Sequence, residues 1–110
     1  MKHQVIDARS LELHRRIAAK IRRNPALLAI PKNNIKRWLS QGHGDTNSAL
    51  YEWQKILRKP LDKILAILTT DDEEGCRLRQ SSPFTGVLTP KERTKIFQKY
   101  EKFRGKTTPP

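Results

Sequence analysis

Residues 10–23 read SLELHRRIAAKIRR, and this stretch decides how the rest of the chain is understood. Placed at about 100° per residue, Ser10, Leu11, Leu13, His14, Ile17, Ala18 and Ile21 gather on one side. Glu12, Arg15, Arg16, Ala19, Lys20, Arg22 and Arg23 gather on the other. The spacing predicts an amphipathic helix over Asp7 to Arg23 whose outer face is almost purely cationic.

The same period recurs downstream. Asn24 and Pro25 form a stop-and-restart signal, a capping residue followed by proline at the first helical position. The next helix, Pro25 to Gln41, carries Leu27, Leu28, Ile30, Ile35, Trp38 and Leu39, with a bend expected at Pro31, where an N–H is lost. After the loop Gly42 to Asp45, Asp45 or Thr46 is expected to cap a helix presenting Ala49, Leu50, Trp53, Ile56 and Leu57. Pro60 opens another through Leu61, Ile64, Leu65, Ile67 and Leu68.

Thr70 is the expected cap of a helix starting Asp71-Asp72-Glu73-Glu74, carboxylates that favour the positive end of the helix dipole, and running to about Gln80. Ser81-Ser82-Pro83 stops it, and Phe84, Val87 and Leu88 pin the following loop. Thr89-Pro90-Lys91-Glu92 combines a capping box with proline at the first position and starts a last helix to about Phe103. On it Ile96, Phe97, Tyr100 and Phe103 share one side, and Lys91, Lys95, Lys99 and Lys102 stripe the other.

No stretch alternates with the period of two that a half-buried strand requires. The expected fold is therefore all-α, a compact bundle of about five to six short helices, with residues 1–104 as one helical domain and 105–110 as a flexible tail. A chain of 110 residues has room for one modest core, so a partner or a second copy, as a homodimer, would add useful burial.

Composition narrows the function. Twenty-three Lys and Arg against eleven Asp and Glu give +12. Residues 1–41 hold ten basic and two acidic side chains, 42–74 four and seven, and 75–110 nine and two, so two basic ends flank an acidic middle. Such a field favours polyanions. The cationic set Arg15, Arg16, Lys20, Arg22 and Arg23, with Lys91, Lys95, Lys99 and Lys102, is the candidate nucleic-acid-binding surface, since consecutive helical turns can follow successive phosphates. The bland alternative is a solvated charged face.

Cys76 is the only cysteine, which excludes an internal disulfide and fits a reducing cytoplasm. The longest apolar run, Ile64 to Leu68, is too short to span a bilayer, and the first residues lead into no apolar segment, so no membrane role is expected. No two histidines have metal-ligand spacing, and His14 reads as a hydrogen-bonded core residue. No metal or cofactor is expected. There is no glycine-rich phosphate loop, nucleophile elbow or tuned carboxylate pair, so the chain is not read as an enzyme. Pro60 to Gln80 has the outline of a helix-turn-helix, but its second helix would lead with Asp71, Asp72, Glu73 and Glu74, which phosphates repel. Trp38 and Trp53 are expected in the core, and Tyr100 and Phe103 are candidates for an interface.

The run Arg77-Leu-Arg-Gln-Ser-Ser-Pro-Phe-Thr-Gly-Val-Leu-Thr-Pro-Lys-Glu-Arg93, with Ser10-Leu-Glu-Leu-His14 and Asn24-Pro-Ala-Leu-Leu28 upstream, resembles a family of short bacterial proteins of undefined activity associated with toxin–antitoxin gene pairs. The resemblance covers roughly Arg9 to Phe97, and Arg79 to Phe84 is its distinctive part. Pro31 and Thr94 depart from the family's pattern, the second standing where an aromatic is expected. The resemblance implies an antitoxin-like or regulatory protein that binds a toxin-like partner, with Arg77, Arg79, Gln80, Ser81, Ser82 and Phe84 as candidate partner-binding residues. Read physically, the same segment could simply close a helix and shape its exit. The alternative function is a stand-alone nucleic-acid-binding protein.

Overall fold

In the computed structural model the described residues are 2–42 and 47–107, with side chains described over 6–42 and 48–101. They form six α-helices and one 3₁₀ turn, with no strand among them. The helices are α1 (Lys2–Arg23), α2 (Ala29–Ser40), α3 (Asn47–Ile56), α4 (Leu61–Leu68), α5 (Glu73–Arg79) and α6 (Pro90–Thr107), and the 3₁₀ turn is Pro25–Leu28. The fold is all-α, as the periodicity predicted.

The apolar stripe of α1 is the spine of the core. Ile17, Ala18 and Ile21 are buried there, and α1 packs against α4, α5, α6 and the 3₁₀ turn. Around them close Ile35 of α2, Leu50, Trp53 and Ile56 of α3, Ile64, Leu65 and Leu68 of α4, Leu78 of α5 and Ile96 of α6. Phe84, Val87 and Leu88, from the segment between α5 and α6, complete the cluster. Trp53 is fully buried, its indole N–H donating to the Leu78 carbonyl at 2.8 Å and its ring meeting Phe84 edge-on at 5.4 Å. Trp38 is only partly buried at the core's edge.

Several element boundaries differ from the sequence expectation, each for a local reason. Helix α1 begins at Lys2 rather than Asp7, because residues 2–6 contain no glycine or proline to stop it growing backward. The expected helix Pro25 to Gln41 changes character before Pro31, where the 3₁₀ turn Pro25–Leu28 gives way to α2. Pro31 is the third residue of α2, where backbone N–H groups lack intrahelical partners in any case, and its ring is buried instead of breaking a helix. Asn24 makes no side-chain cap; its carbonyl accepts from Leu27 N at 3.0 Å. The expected caps Asp45 and Thr46 lie outside the described residues.

Thr70 does not cap α5. Its hydroxyl donates back to the Ala66 carbonyl at 2.6 Å, and Asp72 is the cap, accepting from Gly75 N at 2.7 Å. Only Glu73 and Glu74 therefore occupy the first turn. The capping box of α6 forms as predicted: Thr89 N donates to Glu92 Oε1 at 2.8 Å, and Glu92 N to Thr89 Oγ1 at 3.2 Å. Helix α6 passes Phe103 and reaches Thr107, since one glycine at 105 costs a helix only about 1 kcal/mol. Of the expected tail, residues 105–107 are helical and 108–110 lie outside the described residues.

Candidate functional site

Two groups of residues carried the functional expectations, and the structure separates them. The first is the basic surface of α1 and α6. These helices lie side by side and antiparallel: Tyr100 of α6 reaches Ala8 and Glu12 near the start of α1, and Glu92 reaches Lys20 near its end. Two ion pairs close the seam. Lys20 Nζ donates to Glu92 Oε1 at 2.8 Å and to the Val87 carbonyl at 2.9 Å, and Lys99 Nζ donates to Glu12 Oε1 at 3.0 Å. The Lys20 ammonium and the backbone N–H of Thr89 hold the Glu92 carboxyl down at about 2. Burial pushes the Glu12 carboxyl up, but hydrogen bonds from Lys99 and Tyr100 outweigh it and leave Glu12 below its ordinary value.

Lys20 and Lys99 thus join the bundle together across the seam between α1 and α6. Arg15, Arg16, Arg22 and Arg23 are exposed and form no hydrogen bond or ion pair among the described residues, and the same holds for Lys91 and Lys95. The side chain of Lys102 lies outside the described residues. Arg15 and Arg22, two turns apart, border an open groove of about 480 Å³ between α1 and α4, floored by Ala18, Ala19, Leu65 and Ala66, with Asp62 and Thr69 on the far side. From Arg15 to Arg23 the helix rises about 12 Å. Over that length Arg15 with Arg22 and Arg16 with Arg23 form two parallel rows about 100° apart around the helix, a cationic surface suited to a run of phosphates.

The second group is the Arg77–Phe84 segment, and most of it faces inward. Arg77 is exposed and ties α5 to α3, pairing with Glu52 at 2.6 Å and with Glu74. Arg79 is only 5% exposed, its Nη1 donating to the carbonyls of Thr70 at 2.7 Å and Leu68 at 3.3 Å, the free end of α4. Gly75 makes room for this: a Cβ there would lie 2.1 Å from the Thr70 carbonyl oxygen and 3.0 Å from Arg79 Nη1. Gln80 is exposed and Ser81 half-buried. Ser82 Oγ meets His14 Nε2 at 2.7 Å, and Phe84 is buried.

His14 is 6% exposed, in the core as expected. Its Nδ1 lies 2.7 Å from the Ser10 carbonyl, which can only accept, so Nδ1 carries the proton and Nε2 accepts from the Ser82 hydroxyl. Burial, with Arg79 nearby, pulls the imidazole down to about 4. On the other side of the segment, Asn34 donates to the Pro83 and Thr85 carbonyls, each at 2.8 Å, and accepts from Arg37 at 2.9 Å. Gly86, at φ +97°, turns the chain toward α6. The sequence reading missed Asn34. Its signal was a polar side chain one turn from both Ile30 and Trp38, on the face that packs inward.

Among the described residues no group of His, Cys, Asp and Glu could hold a metal ion, and no helix is long and apolar enough to cross a membrane. No protein-family model matches the chain, and neither the curated proteins nor the solved structures contain a match.

Proposed function

We propose that this chain is a non-catalytic, antitoxin-like regulatory protein that contacts nucleic acid through the arginine face of α1 and holds a toxin-like protein partner elsewhere on its surface. The observation that carries the first half is that Arg15, Arg16, Arg22 and Arg23 form no hydrogen bond or ion pair among the described residues, while Glu12 and Glu92 are engaged by Lys99 and Lys20 and Asp62 stands across the groove from Arg15 and Arg22. Uncompensated cations on one rigid helix raise the local concentration of a polyanion and release its counterions on contact. The second half rests on the resemblance of Arg77 to Arg93 and its upstream motifs.

A second reading is a nucleic-acid-binding protein with no protein partner. It is favoured by the inward orientation of Arg79 and Phe84, which leaves exposed Gln80 and half-buried Ser81 and Ser82 as the surface of the distinctive segment. The test is purification of the tagged protein from its native host at low and high salt, paired with DNA binding by the purified chain. A stoichiometric protein surviving high salt supports the antitoxin-like reading; nucleic acid alone, lost at high salt, leaves the second. In the DNA titrations, replacing all four arginines by glutamine should reduce the log–log salt slope by about 0.9 for each phosphate that is no longer neutralised. An unchanged slope would remove α1 from the interface.

A further inference from the structure

Where α1 begins and α5 ends, Ile6, Ser10, Leu13, Cys76, Arg79 and Gln80 line a cleft of about 420 Å³. Ile6, 50% exposed, and Leu13 give it an apolar part, Asp7 and Arg9 also line it, and the Arg79 side chain, only 5% exposed, forms part of its wall. The guanidinium is anchored strongly at one end and only weakly, by a sulfur, at the other. Nη1 holds the two carbonyls at the end of α4, whereas Nη2 faces only the Cys76 sulfur at 3.7 Å, and Nε is buried with no hydrogen-bond partner. Nε–H and the adjacent Nη2–H form the side-on fork of arginine, two parallel donors matched to the two oxygens of a carboxylate. Cys76 and Arg79 both line the cleft, and Cys76 lies against Nη2, so the thiol stands between the cleft and this edge of the guanidinium.

The charge is equally unmatched. No carboxylate of the described residues pairs with the Arg79 guanidinium. Asp7 lines the same cleft without bonding to it, and repels a dianion more than a single carboxylate.

We infer that this cleft is a receptor for a carboxylate carried on an acidic peptide segment with apolar neighbours. The carboxylate takes the Nε and Nη2 fork of Arg79, the Cys76 thiol turning aside to admit it, while Ile6 and Leu13 receive the flanking side chains. Arg79 then closes a helix with one end and reads a partner with the other. The site is separate from the arginine face of α1 and does not depend on it.

The test uses the full ¹⁵N-labelled chain and a capped Leu-Glu-Leu peptide, following the Arg79 Nε–H resonance by NMR. The expected result is a saturable shift at least tenfold tighter than with the Leu-Gln-Leu peptide. Because Cys76 is the only cysteine, the same peptide should slow its alkylation by iodoacetamide. Cys76→Ala, which uncovers the fork, should tighten binding several-fold, and replacing the four α1 arginines should leave it unchanged. The inference is overturned by no saturable shift, by an equal response to the glutamine peptide, or by inorganic phosphate binding as tightly as the glutamate peptide.

Discussion

On α1 the guanidinium groups of Arg15, Arg16, Arg22 and Arg23 stand in solvent, held by nothing but their own stems. In the Arg79–Phe84 segment the polar groups of Arg79 and Ser82 and the Pro83 carbonyl are tied to α4, α1 and α2. The two regions are similarly rich in polar residues, yet one is surface and the other is framework. What separates them is whether the rest of the chain supplies a partner. Chemical type alone does not decide which residues remain for an outside ligand.

This contrast can be broken at its strongest point first. Phe84→Ala empties the site where the segment meets Trp53 and His14, and the expected loss is about 3–5 kcal/mol of stability, measured by urea denaturation. A loss below 1 kcal/mol would mean that the segment is not framework.

Next in size is a pH effect. The imidazole of His14 titrates near 6.5 when unfolded and near 4 when folded. Between those values the unfolded chain binds the extra proton, so stability falls as pH is lowered through this window, by on the order of 3 kcal/mol in total. Denaturation at pH 7, 5.5 and 4 should show that slope in the native sequence and lose it in His14→Gln. Glu92 acts in a lower window. Its stabilisation is complete above about 4.5 and is lost as pH falls toward 2.

Ser82→Ala sharpens the comparison by removing the donor to His14 Nε2 while leaving the backbone in place. A buried acceptor left unsatisfied costs about 1–3 kcal/mol, read as a lower Tm at pH 7, with Ser82→Thr retaining the bond and most of the stability. The smallest effect belongs to α1. Each of Arg15→Gln, Arg16→Gln, Arg22→Gln and Arg23→Gln should change stability by less than about 0.5 kcal/mol. A larger loss would show that these side chains, too, belong to the framework.

Local signals were legible in the sequence and distant ones were not. The Thr89–Glu92 capping box lies within four residues, and the structure forms it as read. The apolar stripe of α1 needed only its own period. Pro31 misled because a proline breaks a helix only beyond its first turn, and that turn's position depends on the 3₁₀ geometry of Pro25–Leu28. Thr70 and Asp72 are both good caps, and the choice between them followed from Thr70 bonding back to α4. The ion pairs of Lys20 and Lys99 were not legible because their carboxylates lie 72 and 87 residues away, a separation no window on the sequence can join. For the same reason the burial of Arg79, set by the end of α4 and by Gly75, could not be read from its neighbours.

The 72 residues between Lys20 and Glu92 also put a clock on the fold. At a synthesis rate of roughly 5–20 residues per second, the helix at the centre of the bundle waits roughly 4–14 seconds before the turn that Lys20 grips has been made. During that interval Ile17 and Ile21 lack much of the cover that the finished core gives them, and the seam between α1 and α6 can close only after the peptide linking them is complete.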